Sequence, residues 1–205
     1  MKRFVHLFSL CFLLITTSLQ AGVTYKVIYN FALSRYEVYM NSSIAYSGPL
    51  ARISSAQVTI LVPHNTGFTP INLTGGNGNG LSPAVMNWGV SRYDGPTENT
   101  TKDYLFFGYN ASSNPSVLFN IPANTDVLLF HFQNSGTCNG TIALIENATS
   151  VTPDPFLPPN SQSLNTPNAM TIFGAGNINI YVANAGGIAD CASEPCTAKA
   201  GVINH

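Results

Sequence analysis

Charged residues are scarce in this chain of 205 residues. Lys, Arg, Asp and Glu together make up 8% of it, whereas about 25% is usual for soluble domains. Eight basic side chains, balanced by nine acidic ones, cannot neutralise a run of phosphates, which argues against nucleic acid as a partner. The hydrophobic fraction of 45% is ordinary, so the chain is expected to bury a core rather than to be disordered.

Long apolar runs are absent outside the first residues. Lys2 and Arg3 precede an apolar stretch over residues 4–15, and a small residue follows at Ala21. This layout is typical of a secretory signal peptide, which predicts removal of residues 1–21 and export of residues 22–205 as one domain. No later segment approaches the roughly 18 consecutive apolar residues of a membrane span. We therefore expect a secreted protein, extracellular or periplasmic, that does not span a membrane.

Cysteine is also scarce, and three of the four residues follow the signal peptide, at Cys138, Cys191 and Cys196. Export into an oxidising compartment favours a disulfide, and the odd number leaves one thiol over. The residues alone allow Cys138 to pair with Cys191, or Cys191 with Cys196, and they also allow three unpaired thiols. The histidines do not lie at ligand spacing from these cysteines, which argues against a zinc site.

Alternation of β-branched and aromatic residues with a period of two recurs along the chain, and no segment of about 11 residues carries a helical stripe. The pattern predicts strands over residues 23–29, 35–40, 56–62, 84–90, 104–109, 117–121, 126–132, 141–145, 170–173 and 177–182. Segments 104–109 and 126–132 are apolar on both faces, which is typical of strands covered on two sides. These features predict an all-β fold, a single jelly-roll β-sandwich of about nine strands.

Three loops are conspicuous in the sequence. The first, over residues 64–80, contains GGNGNG from Gly75 and leads into a strand rather than a helix, so it is not a phosphate-binding loop. The second, over residues 93–103, concentrates acidic residues. The third, over residues 147–169, contains five prolines. A loop of that length is expected to be functional or to act as a clasp across the edge of the sandwich.

Calcium is the one cofactor that the sequence suggests. The candidate ligands are Asp94, Glu98 and Asp103, because carboxylate oxygens are the donors that calcium prefers. The alternative interpretation is that these residues are the solvated charges of an exposed turn.

A catalytic set is not apparent in the sequence. There is no Gly-x-Ser-x-Gly motif, His131 is expected on the outer face of its strand, and His64 is expected in a loop. Glu37 and Glu146 alternate outward on predicted strands, and neither has a second acid nearby in sequence of the kind that glycoside hydrolysis requires. Solvated strand faces explain both, and the chain is predicted not to be an enzyme.

Aromatic residues offer candidate ligand contacts. Trp88, the only tryptophan, alternates with Met86 and Val90, which favours a place in the core over a sugar-stacking role. The candidates for exposed, ligand-facing aromatics are Tyr25, Tyr29, Tyr93 and Tyr109.

The segment NIPANTDVLLFHFQNSGTCNGTIALIEN, residues 120–147, resembles the region of cohesin-like domains in which a proline turn precedes an apolar strand, a polar turn and a Gly-Thr strand. RYEVYM from Arg35, AQVTILVP from Ala56 and DYLFFGY from Asp103 fit the same pattern. The chain thus resembles the cohesin-like or carbohydrate-binding-module-like domains of exported bacterial proteins. The resemblance implies a nine-stranded jelly roll with neighbouring termini, and it favours the Cys138–Cys191 disulfide, whose longer loop also restricts the unfolded chain more.

Cohesins bind dockerin modules through one sheet face, and their relatives bind polysaccharides or act as adhesive spacers. The resemblance therefore implies a secreted, non-catalytic module for cell adhesion or protein–protein interaction. Two alternatives stay open. The first is an extracellular carbohydrate-binding protein, which exposed tyrosines and a calcium loop would favour. The second is a self-assembling subunit of an extracellular fibre or matrix, which the low charge and an unpaired Cys196 would favour.

Overall fold

The computed structural model describes residues 22–77, 86–111, 120–136, 138 and 140–192. The expected signal peptide, Cys196 and most of the strand expected over 117–121 lie outside the described residues. In the part that is described, the chain is almost entirely β-structure, with eleven strands in two sheets that pack as a sandwich. The predicted all-β sandwich is confirmed.

The strands are short, and two 3₁₀ helices, Gly48–Ala51 and Phe173–Ala175, are the helical elements among them. The strands are β1 Val23–Asn30, β2 Arg35–Ser42, β3 Ile53–Pro63, β4 Pro70–Gly75, β5 Trp88–Tyr93, β6 Lys102–Tyr109, β7 Asp126–Asn134, β8 Thr141–Leu144, β9 Ala169–Ile172, β10 Tyr181–Asn184 and β11 Ile188–Asp190. No helix in the described ranges is both long and apolar enough to cross a membrane.

The first sheet has the strand order β10-β1-β2-β7-β4. Strands β1 and β2 form the antiparallel hairpin that their alternation predicts, in register from Val23 opposite Ser42 to Asn30 opposite Arg35. Strand β10 pairs with β1 in parallel. This pairing joins the first described strand to one of the last two.

The second sheet has the order β11-β8-β3-β6-β5, and β9 also pairs with β3. The long strand β3 makes this possible, because one side of it pairs with β6 and the other side pairs first with β9 and then with β8. Strand β5 ends this sheet, and its only sheet neighbour in the strand order is β6.

Aromatic side chains fill the space between the sheets. Phe107 of the second sheet stacks on Phe130 and Phe132 of the first, with ring centroids 4.7 and 5.0 Å apart. Tyr36 stacks on Phe132 at 5.3 Å, and Trp88 packs on Phe130 at 4.7 Å. Such pairs stabilise a core by about 0.5–1.5 kcal/mol each beyond the burial of their area. Trp88 is 6% exposed, so its predicted place in the core is confirmed.

Two strands escaped prediction from sequence. Strand β4 lies within the loop predicted over 64–80. The sequence does not predict it as a strand, because its proline and glycine ends are typical of turns and its residues show no buried alternation. Strand β11 has three residues, too few to show a period of two. The count is therefore eleven within the described ranges rather than nine.

The apolar character of both faces has a different cause in β6 and in β7. Residues 147–168, called the proline-rich loop below, cross the outer face of the second sheet and bury Leu61, Tyr104 and Ile145 beneath Phe156. The loop is therefore a clasp across a sheet face rather than across an edge. In β7 a register irregularity opposite β2 buries Leu129 and Phe130 in succession, so an apolar run there does not indicate a second covering layer.

Candidate binding surface

A disulfide joins Cys138, just before β8, to Cys191, just after β11, with Cα atoms 5.6 Å apart. The predicted pairing is confirmed. Disulfides persist in oxidising environments such as the extracellular space and the periplasm. The two cysteines and Asp190 are the one group of three metal-ligating residue types that cluster in the described ranges, and the disulfide occupies both sulfur atoms.

The structure does not bring the candidate calcium ligands together. Asp103 is fully buried, and its carboxylate binds the Arg92 guanidinium, the Gly95 amide at 2.9 Å and His64 Nδ1 at 2.5 Å. The side chain of Asp94 is 64% exposed and pairs with Arg92 on the other side. The expectation of solvated charges is wrong for Asp103, because β6 begins before it and places it opposite Val62 of β3.

Glu98 binds to the proline-rich loop through Ser161. Its Oε1 accepts a hydrogen bond from the Ser161 amide at 2.6 Å, and its Oε2 accepts one from the Ser161 hydroxyl at 3.0 Å. The bond from the Ser161 amide lowers the pKa of the Glu98 carboxyl. Each of the three carboxylates thus has its own protein partners, and their oxygens are not gathered into one cluster of ligand atoms among the described residues.

Tyr25 is the clearest correction among the candidate aromatics. It is fully buried in the sandwich, and its hydroxyl donates to the Ala169 carbonyl at 2.6 Å. Burial and the neighbouring Tyr181 raise its pKa well above the ordinary value. Its alternation with Val23 and Val27 on one strand face explains the position, since that whole face points into the core.

The other three candidate tyrosines are half-buried and lie apart. Tyr29 packs edge-on against Tyr36 at 4.9 Å, Tyr93 stacks on Phe156 at 5.5 Å, and Tyr109 packs on Trp88 at 5.6 Å. Each of the three therefore packs against a different aromatic residue. The structure does not bring them together as a planar platform for sugar rings.

Glu37 is a second carboxylate whose predicted exposure to solvent is wrong. It points away from the core as its alternation predicts, yet it is 3% exposed. The side chains of Arg35 and Tyr39, two residues before and after it on the same face, donate to its carboxylate at 2.7 and 2.6 Å. Burial alone would raise the pKa of Glu37, but these hydrogen bonds and one from Asn30 outweigh it and lower the pKa.

The outer face of the second sheet has a strip without side chains. Gly89 of β5 lies directly opposite Gly108 of β6, and Gly108 lies opposite Gln57 of β3. A Cβ atom built on either glycine meets nothing within 4 Å, and neither glycine has a positive φ. Two adjacent strands therefore expose bare backbone at this point, although neither backbone conformation requires glycine.

A shallow groove of about 370 Å³ forms over this strip, and we call it the glycine groove. It is lined by Gln57, Gly89, Val90, Ser91, Phe106 and Gly108. Phe106 contributes one half-buried ring, Val90 is 40% exposed at the edge, and no lining residue is charged. The groove offers a narrow apolar surface with amide and hydroxyl groups at its sides.

A second depression of similar volume lies on the proline-rich loop, lined by Pro158, Pro159, Asn160, Ser163, Leu164 and Asn165. Gln57 connects the two, because its Nε2 donates to the carbonyls of Asn165 and Pro167 at 2.7 and 3.0 Å. The loop and the sheet thus present one uncharged surface.

The groove opens onto the edge of β5 that has no partner strand among the described residues. The amide of Asn110 donates to the Asn87 carbonyl at 2.9 Å, which fixes the phase of the antiparallel ladder. Because hydrogen-bonded and non-hydrogen-bonded pairs alternate, the N–H and C=O of Val90 point away from β6. Exposed backbone groups of this kind can pair with an added strand.

Sequence reasoning overlooked Gly89 and Gly108, although a signal was present. A glycine inside a strand weakens it and often marks a place where a ligand or another backbone approaches closely. Each glycine is flanked by aromatic or β-branched strand residues. What the sequence does not contain is the register that places the two glycines side by side.

Comparison of the chain with protein-family models, with curated proteins and with solved structures returned no match.

Proposed function

We propose that the protein is a secreted, non-catalytic binding module of the cohesin-like type, and that its partner is a protein that docks on the glycine groove. The observation that carries the proposal is the opposed pair Gly89 and Gly108. Glycine at these two sites costs strand stability and is not required by the backbone. Its benefit is the room that it leaves for the backbone or side chains of a partner.

A protein fits this surface better than a polysaccharide does. The groove contains a single aromatic ring, whereas the N–H and C=O of Val90, which point away from β6, suit an extended peptide that adds to the edge of a sheet. Uncharged lining residues with Gln57 and Ser91 at the sides match the composition of an interface core with a polar rim. The adjoining depression on the proline-rich loop enlarges the surface towards the roughly 800 Å² per partner of a specific complex.

Secretion and the absence of catalysis are parts of the same proposal. The Cys138–Cys191 disulfide supports an extracellular or periplasmic site of action. The buried carboxylates of Glu37 and Asp103 are held by arginine partners, which suits structural roles. The parallel pairing of β10 with β1 agrees with the neighbouring termini that the cohesin resemblance implies.

The groove can be tested by filling it. Gly108→Trp places a ring over the strip, and the fold should tolerate it because the Cβ position is open. A matched control is Ile28→Trp, on the outer face of β1 in the opposite sheet, where Ile28 is 36% exposed. A phage-displayed peptide library is selected on residues 22–205, and the affinity of the best peptide is measured by calorimetry.

We expect Gly108→Trp to weaken the peptide at least tenfold and Ile28→Trp to leave its affinity unchanged. Equal loss in both variants, or unchanged affinity in both, would contradict the proposal. Assembly of the chain with itself would appear instead as a concentration-dependent mass in sedimentation, and Gly108→Trp would then abolish the larger species.

A further inference from the structure

A polar cleft lies at the start of the proline-rich loop and shares no lining residue with the glycine groove. It has a volume of about 280 Å³ and opens between β10 and the segment that follows β8. Its polar lining residues are Glu146, Asn147, Thr149, Ser150, Tyr181 and Asn184. The cleft is small against ligand pockets of about 300–1,000 Å³, so it suits one small ring rather than a long chain.

The floor of the cleft is a fixed network of side chains. The Tyr181 hydroxyl donates to Asn184 Oδ1 at 2.7 Å, and Asn184 Nδ2 donates to Glu146 Oε1 at 2.9 Å. Burial raises the pKa of Tyr181 to about 12, so this hydroxyl stays protonated and donates at any physiological pH. Two polar groups at the floor are thus oriented before a ligand arrives.

Asn168 holds this network from below. It is fully buried, its Nδ2 donates to the Ile145 carbonyl at 3.2 Å, and its Oδ1 accepts from the Thr59 amide at 2.8 Å. Its backbone exchanges two hydrogen bonds of 2.9 Å with the side-chain amide of Asn147. Since these side chains are already ordered, binding of a ligand does not incur the entropic cost of fixing them.

The Glu146 carboxylate has acceptor positions to spare for a ligand. A carboxylate offers about four acceptor positions, and one hydrogen bond from Asn184 reaches Glu146. Thr149 and Ser150 also line the cleft, and the Ser150 hydroxyl accepts a hydrogen bond from the Thr152 amide at 3.4 Å. A ligand that brings several hydroxyl donors can therefore bond to the carboxylate beside these polar lining residues.

Charge and apolar surface narrow the ligand class further. The lining contains one carboxylate and no basic side chain, which disfavours phosphate, sulfate and uronate groups. Val182, 50% exposed, adds an apolar patch beside the polar groups. The C–H face of a sugar ring combines with its hydroxyls to match such a mixed surface.

We propose that this cleft binds a neutral, hydroxyl-rich ligand, a single sugar unit of an extracellular glycan. The site is separate from the glycine groove and does not depend on the protein partner proposed there. It gives the module a second, weaker attachment to a glycan surface.

The test uses the disulfide-bonded domain, residues 22–205, and an array of neutral, sulfated and uronate oligosaccharides. Saturation-transfer NMR and calorimetry follow with the best neutral oligosaccharide of the array. Ala183→Trp fills the cleft from an exposed lining position outside the network. Glu146→Gln removes the charged acceptor but keeps an oxygen for Asn184. Ile28→Trp is again the matched control.

We expect binding of neutral glycans alone, a loss of at least tenfold in Ala183→Trp, and a loss of about tenfold in Glu146→Gln. Ile28→Trp and the groove variant Gly108→Trp should keep the glycan affinity, so failure of one proposal is distinguishable from failure of the other. Absence of a neutral glycan signal, a preference for anionic glycans, or binding that Ala183→Trp and Glu146→Gln leave intact would overturn the inference. Circular dichroism checks that each variant is folded.

Discussion

At the scale of single residues, the few charged side chains mostly fix strands and loops in place. Asp103 connects three segments by binding Arg92, Gly95 and His64, and Glu98 connects the acidic loop to Ser161. Glu37 joins neighbouring positions of one strand face. In a chain with so few charges, each buried carboxylate is therefore expected to contribute strongly to stability.

Asp103 and Asp94 provide a matched comparison, because both pair with the same guanidinium of Arg92. Asp103→Asn replaces the charged acceptor that Arg92, Gly95 and His64 share with a neutral amide, and we expect a loss of about 3 kcal/mol in the free energy of unfolding, since hydrogen bonds to a charged group contribute about 1.5–3 kcal/mol. Asp94→Asn removes an exposed partner and should cost less than about 1 kcal/mol. Urea unfolding measures both. Similar losses in the two variants would show that burial does not determine the contribution of these pairs.

Single-residue alternation has a clear limit as a predictor of exposure. It placed Glu37 on the outer face correctly, but it could not show that Arg35 and Tyr39 cover it there. It grouped Tyr25 with the valines of β1 correctly, and the mistake was to treat a tyrosine on a buried face as exposed. The missing information is which neighbours share a face, and that depends on side-chain reach rather than on period.

At the scale of elements, strong alternation and apolar content made most strands predictable, and non-local pairing decided the rest. Of the strand predicted over residues 84–90, residues 84 and 85 lie outside the described residues, and 86–87 precede β5. Strand β5 then extends beyond the prediction to Tyr93, because its partner β6 continues to Lys102 at that end. The glycine groove depends on the register between β5 and β6, so no local pattern could have located it. The proline-rich loop was predictable as an unusual loop, but its packing on the outer face of the second sheet was not.

Phe156 is the residue that attaches the proline-rich loop to the sheet. It is fully buried against Tyr93 and Tyr104, with ring centroids 5.5 and 4.9 Å away. We expect Phe156→Ala to cost about 3 kcal/mol through the lost transfer energy and the cavity. The loop should then open locally, and chymotrypsin should cleave the folded variant after Leu164, since Pro158 protects the bond after Leu157.

Val151→Ala is the control for this prediction, because Val151 lies in the same loop and is 99% exposed. It should change neither the unfolding free energy nor the rate of cleavage. Rapid cleavage of the loop in the unmodified protein would mean that Phe156 does not hold the clasp closed.

At the scale of the whole molecule, the last two described strands join the two sheets. Strand β10 pairs with β1 in the first sheet, while β11 pairs with β8 in the second. The final described strands therefore connect both sheets, and the Cys138–Cys191 disulfide lies directly after the last of them. Because β11 has only three residues, the covalent bond is expected to contribute more to holding this end than the hydrogen bonds of the strand do.

The disulfide has a sequence separation of 53 residues, and the loop-closure entropy that it removes from the unfolded chain corresponds to about 4 kcal/mol. We expect the double variant Cys138→Ser, Cys191→Ser to lose about this much in urea unfolding, and to lose no more when a reducing agent is added. Cys196→Ser should behave like the unmodified protein, with full stability under oxidising conditions and the same loss on reduction. If Cys196→Ser alone lowered the stability to the level of the double variant, the stabilising pair in solution would involve Cys196, and the last described strands would be held by the pairing of β10 with β1 instead.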